Sequence, residues 1–323
     1  MRVFVTGGAG YVGAHCCKAF AEAGWEVVVY DDLSRGWREF VRWGPLIDGD
    51  ILDPGRLTSA LRETAPDAVA HFAALSFVAE SVAQPELYWR VNVCGSLNLL
   101  DAMRAAGVGR LVFSSTCATY GAPERWPIDE DHPQAPINPY GWTKLAVEKM
   151  LADHARAHDL RSVALRYFNA AGADPAGLIG EHHDPETHVI PLAIRGALSG
   201  DHVFTINGGD YDTRDGTAVR DYIHVADLAD AHLRALEHLM RGGQSGAFNL
   251  GTGDGTTVAE IADAVERIAG RRFPRVVGPR RPGDPDALIA DARRAHEMLG
   301  WRPKRSDIET IIGDAWRWHA QRG

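Results

Sequence analysis

Tyr140 and Lys144 lie four residues apart in Asn138-Pro139-Tyr140-Gly141-Trp142-Thr143-Lys144, a spacing that puts both side chains on one face of a helix. A free phenol has a pKa near ~10 and is a weak base at neutral pH. A neighbouring ammonium favours the phenolate and lowers that value towards the range useful for general acid–base work. The pair alone would fit an ordinary surface helix. A glycine-rich turn about 130 residues earlier and a hydroxyl-bearing strand end about 25 residues earlier give it a context. Together they point to redox chemistry on an alcohol.

Such residues need a scaffold that brings them to one edge. Short apolar runs at Arg2–Thr6, Glu26–Tyr30, Leu46–Asp48, Ala68–Phe72, Leu111–Ser114 and Ser162–Arg166 alternate with helical spacing over Tyr11–Ala23, Pro54–Thr64, Pro85–Ala106 and Pro139–His158. Continuous apolar strands separated by helices predict an α/β fold, a Rossmann-type doubly wound parallel sheet covered on both faces. After about residue 170 the texture changes. Gly172–His188 and Asn207–Val219 are long loops without periodicity, and helices follow over Thr257–Ala269 and Ser306–Ala320. The expected organisation is a dinucleotide-binding domain over residues 1–170 and a smaller C-terminal α/β substrate lobe over mainly 171–323. The strand-like Val219–Val225 and Phe248–Leu250 are expected to return to the first domain, giving return segments near 219–250. Ligands in such sheets lie beyond the carboxyl ends of the strands.

The turn Thr6-Gly7-Gly8-Ala9-Gly10-Tyr11-Val12-Gly13 follows a strand and opens a helix. Its glycines let the backbone approach a pyrophosphate, which then sits on the helix N-terminus. Asp31 ends the second strand 24 residues after Gly7, where a carboxylate binds the adenosine ribose hydroxyls and repels a 2′-phosphate. NAD is therefore expected rather than NADP, with Arg35 as a weak counter-signal. Asp50-Ile51, after the third strand, can flank the adenine.

The 323 residues carry a net charge of −9, 45% hydrophobic and 24% charged residues. That balance fits an ordinary globular protein and argues against nucleic acid or an anionic membrane surface as partner. The N-terminus enters a strand at once, so no signal peptide is expected, and no apolar run reaches membrane-spanning length. Cys16, Cys17, Cys94 and Cys117 lack metal-ligand spacing and read as small buried residues in a reducing compartment, with the cytoplasm as default. Glu181-His182-His183-Asp184 is the local histidine cluster, but it lacks helical ligand spacing, and no metal is expected.

The strand Leu111–Phe113 runs into Ser114-Ser115-Thr116-Cys117-Ala118-Thr119-Tyr120-Gly121. Thr116 there completes a trio with Tyr140 and Lys144. Tyr140 moves the proton, Lys144 lowers its pKa and anchors the nicotinamide ribose, and Thr116 hydrogen-bonds the reacting oxygen. Around it stand His71-Phe72-Ala73-Ala74-Leu75, Glu80-Ser81-Val82, Arg166-Tyr167-Phe168-Asn169, Asp215-Gly216-Thr217, Val219-Arg220-Asp221-Tyr222-Ile223-His224-Val225 and Arg281-Pro282-Gly283-Asp284. With Gly7–His15 and Asp50-Ile51, these segments resemble the extended short-chain dehydrogenase/reductase superfamily, and within it the UDP-glucose 4-epimerase family. The resemblance covers nearly the whole chain.

The resemblance implies reversible 4-epimerisation of a UDP-sugar, first UDP-glucose and UDP-galactose, by transient oxidation at C4 and re-reduction with tightly bound NAD. It implies NAD contacts from Gly7, Gly10, Tyr11, Val12, Gly13, Asp31, Asp50, Ile51, Phe72, Ala73, Ala74, Asn92, Ser114, Tyr140, Lys144 and Tyr167. It assigns Thr116, Tyr140, Asn169, His188 and Val189 to the UDP-sugar, Arg220 and Arg281 to its diphosphate, and Asp284 to the uridine ribose. Guanidinium groups suit bidentate phosphate recognition. Leu288 stands where a bulky tyrosine excludes an N-acetyl group and a small residue admits one, so UDP-N-acetylhexosamines and UDP-pentoses stay open. It also implies a homodimer, the helices Pro85–Ala106 and Pro139–His158 pairing with their copies.

Two departures stand out. Threonine occupies position 116, where many relatives have serine, and Ser76 stands where some carry lysine beside the nicotinamide. Rival readings are a nucleotide-sugar dehydratase, a dehydrogenase releasing NADH, and a non-catalytic NAD sensor. The dehydratase commonly needs Asp-Glu after the strand-end threonine, and here Cys117-Ala118 follows. An intact Thr116–Tyr140–Lys144 trio argues against the sensor.

Overall fold

The computed structural model describes residues 1–200, 202–281 and 283–322, so Pro282 of the Arg281–Asp284 segment lies outside the described residues. β1 (Arg2–Thr6), α1 (Tyr11–Glu22) and β2 (Glu26–Asp31) form the first unit. β3 (Leu46–Asp48), α2 (Pro54–Thr64) and β4 (Ala68–His71) continue it. Three helical pieces, α3 (Val78–Ala83), α4 (Pro85–Tyr88) and α5 (Gly95–Ala106), then lead to β5 (Arg110–Thr116). From there α6 (Pro139–His158) crosses to β6 (Arg161–Tyr167).

The chain then makes short elements: β7 (Asn169–Ala171), α7 (Val189–Ser199), β8 (Phe204–Asn207), β9 (Val219–Arg220) and β10 (Tyr222–His224). The long α8 (Val225–Met240) and β11 (Gly246–Leu250) follow. The remainder is β12 (Thr256–Thr257), α9 (Val258–Ala269), β13 (Arg275–Gly278), β14 (Ala287–Leu288), α10 (Arg293–Met298) and α11 (Ile308–Ala320).

Seven strands form one parallel sheet in the order β11-β6-β5-β4-β1-β2-β3. Alternation along each strand feeds two cores. Val3 and Val5 face Phe20, Leu228 and Trp301 under α1 and α8, whereas Phe4 faces Leu57, Leu99 and Val147 under α2, α5 and α6. A third core of Ile190, Ile194, Ile261 and Ile312 joins α7, α9 and α11. This is the α/β doubly wound architecture read from the sequence. Among the described residues no helix is long and apolar enough to cross a membrane.

Three local readings change. The run Pro85–Ala106 is not a plain α-helix, because Trp89–Cys94 widens into a π-helical stretch. Val219–Val225 does not join the main sheet: β9 pairs with β12 and β14, and β10 with β7. The cause is Asp221 between them. Its buried carboxylate accepts the N–H groups of Thr252 (2.9 Å), Gly253 (3.1 Å) and Ala290 (3.1 Å) and so breaks the strand. The segment that does lie beside β6 is β11. Finally, Cys94 is exposed, unlike the buried Cys16, Cys17 and Cys117.

Candidate active site

The glycine turn is dictated by close backbone approaches. Gly7 has φ +76°, and a Cβ on it would lie 2.4 Å from the Ala73 nitrogen. A Cβ on Gly13 would lie 2.1 Å from the Gly7 carbonyl oxygen. Gly10 differs: its nearest such neighbour is at 3.4 Å, and it caps α1 without a side-chain bond. The first-turn N–H groups of Tyr11, Val12 and Gly13 thus form a partly positive helix end in an uncharged stretch. Tyr11 is fixed by its hydroxyl, which donates to the Gly172 carbonyl at 2.6 Å.

Asp31 sits at the end of β2 and accepts the N–H groups of Ala9 and Leu33, each at 2.9 Å. Burial raises its pKa and these two bonds oppose the rise. The Tyr30 hydroxyl donates to the Asp50 carbonyl at 2.9 Å, and Ile51 is buried against the α2–α5 core. Phe72 and Ala73 both donate to the Thr6 carbonyl, at 2.9 and 3.0 Å, which seats them and the following Ala74 against the glycine turn. Arg35, the possible 2′-phosphate ligand, is drawn away to Glu80 at 2.5 Å. An open glycine approach, a positive helix end and a strand-end carboxylate are a donor set that fits a dinucleotide.

Asn92 is held by protein partners. In the π-helical stretch its amide donates to the Leu75 carbonyl (3.0 Å) and Thr143 hydroxyl (3.1 Å), and its oxygen accepts the Leu75 N–H (2.8 Å). The geometry makes it a brace between the loop after β4 and α6.

The acid–base residues meet at the ends of β5 and β6. In their register Thr116 faces Tyr167. The Ser114 and Tyr167 hydroxyls are 2.7 Å apart, and the Thr116 hydroxyl accepts the Ala118 N–H at 3.2 Å. Asn138 caps α6 through the Gly141 N–H (2.8 Å), and Pro139 at the first turn fits the helix start, so Tyr140 enters the cleft half-buried. Lys144 is buried, donates to the Ser114 carbonyl at 2.8 Å and lies 6.0 Å from the centre of the Tyr140 ring.

Burial sets the electrostatics of the protein residues here. Burial raises the Tyr140 pKa above that of a free phenol, with Tyr167 adding to the rise and the Thr116 hydroxyl opposing it. Burial also lowers Lys144 to about 7, with Glu148 opposing. Lys144 is anchored to the strand, and desolvation outweighs its attraction for the phenolate.

The later segments form the opposite wall. Antiparallel and parallel pairing on β9 sets Arg220 beside Thr256 and Leu288. The Arg220 guanidinium pairs with Asp284. Leu288 packs with Cys117, Tyr120, Phe168 and Ala290, immediately behind Thr116. Burial pushes the Cys117 thiol up to about 12 and the Arg220 charge opposes it, which places that charge near the strand end. A Cβ on Gly283 would come 3.9 Å from Ile137, three residues before Tyr140. Asn169 donates to the Asp221 carbonyl at 3.1 Å. Arg281 is exposed and faces the Asn207 amide, whose oxygen turned towards it accepts at 3.1 Å. His188 caps α7, with Val189 as its first residue, and lies 6.2 Å from the Phe77 ring. Leu288 and the Arg220–Asp284 pair thus lie on the side of Cys117, next to Thr116, whereas His188 borders Phe77 and Val189 packs on the α7–α9–α11 core.

A sequence profile for the NAD dependent epimerase/dehydratase family matches residues 3–251. The chain belongs to this family. NAD is accordingly its cofactor. A UDP-glucose 4-epimerase of Rhizobium leguminosarum bv. trifolii is 56% identical over 319 residues, covering 99% of this chain and 97% of that one. The crystal structure of UDP-glucose 4-epimerase from Brucella ovis in complex with NAD superposes with a TM-score of 0.96 at 52% identity, covering 98% of this chain and 97% of that one. The enzyme from Stenotrophomonas maltophila, solved with NAD and formylated UDP-arabinopyranose, gives a TM-score of 0.96 at 41% identity, covering 100% and 98%.

Sequence reasoning missed one network that supports the site. Glu148, one turn beyond Lys144, accepts from Arg166 (2.6 and 3.0 Å) and from the Ser115 hydroxyl (2.5 Å). Arg166 also donates to the Tyr120 hydroxyl at 2.8 Å. The signal was the continued four-residue spacing Tyr140, Lys144, Glu148, which extends the same helical face.

Proposed function

We propose that this protein catalyses the reversible 4-epimerisation of UDP-glucose and UDP-galactose with bound NAD. The observation that supports this best is the meeting of Thr116, Tyr140 and Lys144 beside the glycine turn, with the Arg220–Asp284 pair facing them. When bound, NAD supplies a reversible hydride acceptor and, in its oxidised ring, a positive charge that favours the phenolate. Gly10 and the N-terminus of α1 would hold its diphosphate, and Asp31 its ribose.

Tyr140 carries the proton in both directions, taking it from the sugar C4 hydroxyl and returning it to the same oxygen once the configuration at C4 has inverted. Its raised pKa keeps that proton on the phenol until positive charge arrives. Thr116 orients the reacting oxygen. Lys144 holds the sheet edge and Tyr140 in register. Arg220, Arg281 and Asp284 would bind the UDP, together with Asn169, His188 and Val189, so the hexose is free to turn while binding energy comes from the part that does not react. Leu288, between a tyrosine and a small residue in size, borders the hexose.

The division into an NAD-binding part, residues 1–170, and a nucleotide-sugar lobe, mainly 171–323, belongs to the same reading. So does a homodimer: Trp89, Leu97 and Trp142 are exposed apolar groups on the adjoining Pro85–Ala106 and α6 helices. A cytoplasmic setting is supported by the free thiols.

The test is a coupled assay comparing UDP-galactose, UDP-N-acetylgalactosamine and UDP-arabinose, with sedimentation for the dimer. UDP-galactose is expected to give the highest kcat/KM. NAD binding without turnover of any of the three would favour a sensor instead.

A further inference from the structure

The loop entering α7 gathers four side chains that the epimerase chemistry does not use as a set. Glu181, His183, Glu186 and His188 each offer one ligand atom, and these atoms lie within 4.8 Å of one another. The His188 Nδ1 is 2.9 Å from Glu181 Oε1 and 3.2 Å from Glu186 Oε1. The His183 Nδ1 is 3.5 Å from Glu181 Oε1 and 3.5 Å from Glu186 Oε2. Both carboxylates are 4% exposed.

Two features separate this from a plain ion-pair cluster. First, the His183 Nδ1 is buried and makes no hydrogen bond among the described residues. At 3.5 Å it is too far from either carboxylate for one. Second, several of the distances approach those of a coordination shell. A tetrahedral centre with bonds of ~2.0–2.1 Å separates its ligand atoms by about 3.3 Å. With one oxygen taken from each carboxylate, the separations His188 Nδ1–Glu181 Oε1, His188 Nδ1–Glu186 Oε1 and His183 Nδ1–Glu181 Oε1 are 2.9, 3.2 and 3.5 Å, near that value, and the wider pairs of the set, within 4.8 Å, would draw in on the ion.

Two imidazoles and two carboxylates are a donor set for a borderline metal such as zinc rather than for calcium or magnesium. The sequence reading missed the set because it looked at Glu181-His182-His183-Asp184. His182 in fact stacks on Trp37 at 4.1 Å, and the loop brings Glu186 and His188 back instead.

We propose that Glu181, His183, Glu186 and His188 form a closed structural site for one divalent transition-metal ion of the zinc class. Bound there, the ion ties Glu181 to His188 and so fixes the segment from which α7 starts. The rings around it, Tyr11 at 6.2 Å and Phe77 at 5.6 Å from His183, place the site next to the glycine turn.

The test uses the full chain holding its NAD, stripped of metal with a chelator. Zinc chloride is titrated by calorimetry, and cobalt(II) is added separately to read its visible spectrum. The expected results are one zinc per chain with a Kd below about 1 µM and the intense bands of tetrahedral cobalt. His183→Ala and Glu186→Gln should each weaken zinc by at least ~100-fold, since each removes one of four ligands. Absence of saturable one-per-chain binding in the wild type overturns the proposal. So does zinc affinity unchanged in either variant, which would assign the ion to other histidines. A variant that does not fold, judged by circular dichroism, leaves the wild-type cobalt spectrum to decide: octahedral bands would overturn the site. None of these readouts depends on turnover of a sugar.

Discussion

Lys144 donates to the carbonyl oxygen of Ser114 at 2.8 Å, and its nitrogen stands 6.0 Å from the centre of the Tyr140 ring. The lysine is thus tied first to the strand that carries the hydroxyls. Its effect on the phenol is exerted across the ring and competes with the burial of both groups. The face shared by Tyr140 and Lys144 is as their spacing requires, but the balance of charge on it is set by depth.

That depth makes stability depend on pH in a stated direction. Burial lowers Lys144 to about 7 from its ordinary 10.5. Between those values the unfolded chain binds a proton that the folded chain does not, so stability rises with pH across the window. Below about 7 the cost of burying the charge is fully present. The slope is at most about 1.4 kcal/mol per pH unit. Thermal melts at constant NAD content should show Lys144→Met more stable than wild type at pH 7, the gap closing towards pH 10. A constant gap would mean that Lys144 is not desolvated as described.

The Thr116 and Tyr140 hydroxyls separate proton transfer from folding. Tyr140→Phe should lower kcat by roughly 10²–10⁴-fold while NAD stays bound, because only the transferable proton is lost. Thr116→Val should cost about 10²–10³-fold in kcat, and Thr116→Ser should keep most activity. Steady-state kinetics with the bound cofactor measured after denaturation checks both. Comparable activity in the Tyr140→Phe enzyme would end the proposed mechanism.

Arg220 and Asp284 pair across 64 residues, and both would have to reach UDP. Arg220→Lys keeps the charge but loses the planar fork, so it should raise KM for the UDP-sugar with a smaller change in kcat. Asp284→Asn should likewise raise KM, since the uridine ribose loses an ionised acceptor. A loss of about 1.5–3 kcal/mol for each charge-assisted bond corresponds to roughly a 10–150-fold effect. Melting temperatures should move little, because Asp284 is 30% exposed. A fall in kcat with KM unchanged would place the pair away from the nucleotide.

How much of this was legible follows from the range over which each rule acts. Gly7, Gly10, Gly13 and Asp31 are readable because a strand, a tight turn and a helix start within a few residues leave little choice of residue. Tyr140 and Lys144 are readable from one helical turn. The brace that Asn92 makes was not, since nothing in Pro85–Ala106 signals that the helix widens there and turns its amide towards Leu75 and Thr143. Nor was Asp221, whose carboxylate reaches Thr252, Gly253 and Ala290 and diverts β9 and β10 from the sheet. Both depend on partners brought together by packing, which local periodicity does not report. The burial that raises Tyr140 was not legible for the same reason: spacing gives a neighbour, and packing gives the depth.

Glu148 tests whether the network behind the site holds it in place. Its carboxylate is 8% exposed and accepts from Arg166 and Ser115, so Glu148→Gln leaves the Arg166 guanidinium, itself 7% exposed, without a charged partner. Breaking a buried pair from one side costs about 3–5 kcal/mol. Glu148 also opposes the lowering of Lys144, and its loss should push that pKa further down. The stability rise attributed to Lys144 would then begin at lower pH in Glu148→Gln than in wild type. The double variant Glu148→Gln/Arg166→Met replaces the orphaned cation with an apolar chain and should recover part of the lost stability. Denaturant melts of the three proteins across pH decide the matter. Recovery with the Lys144 window still displaced would mean that Arg166 acts on folding while Glu148 also sets the charge beside Tyr140. Full retention of stability in the single variant would mean that the pair contributes nothing to holding β5, β6 and α6 together.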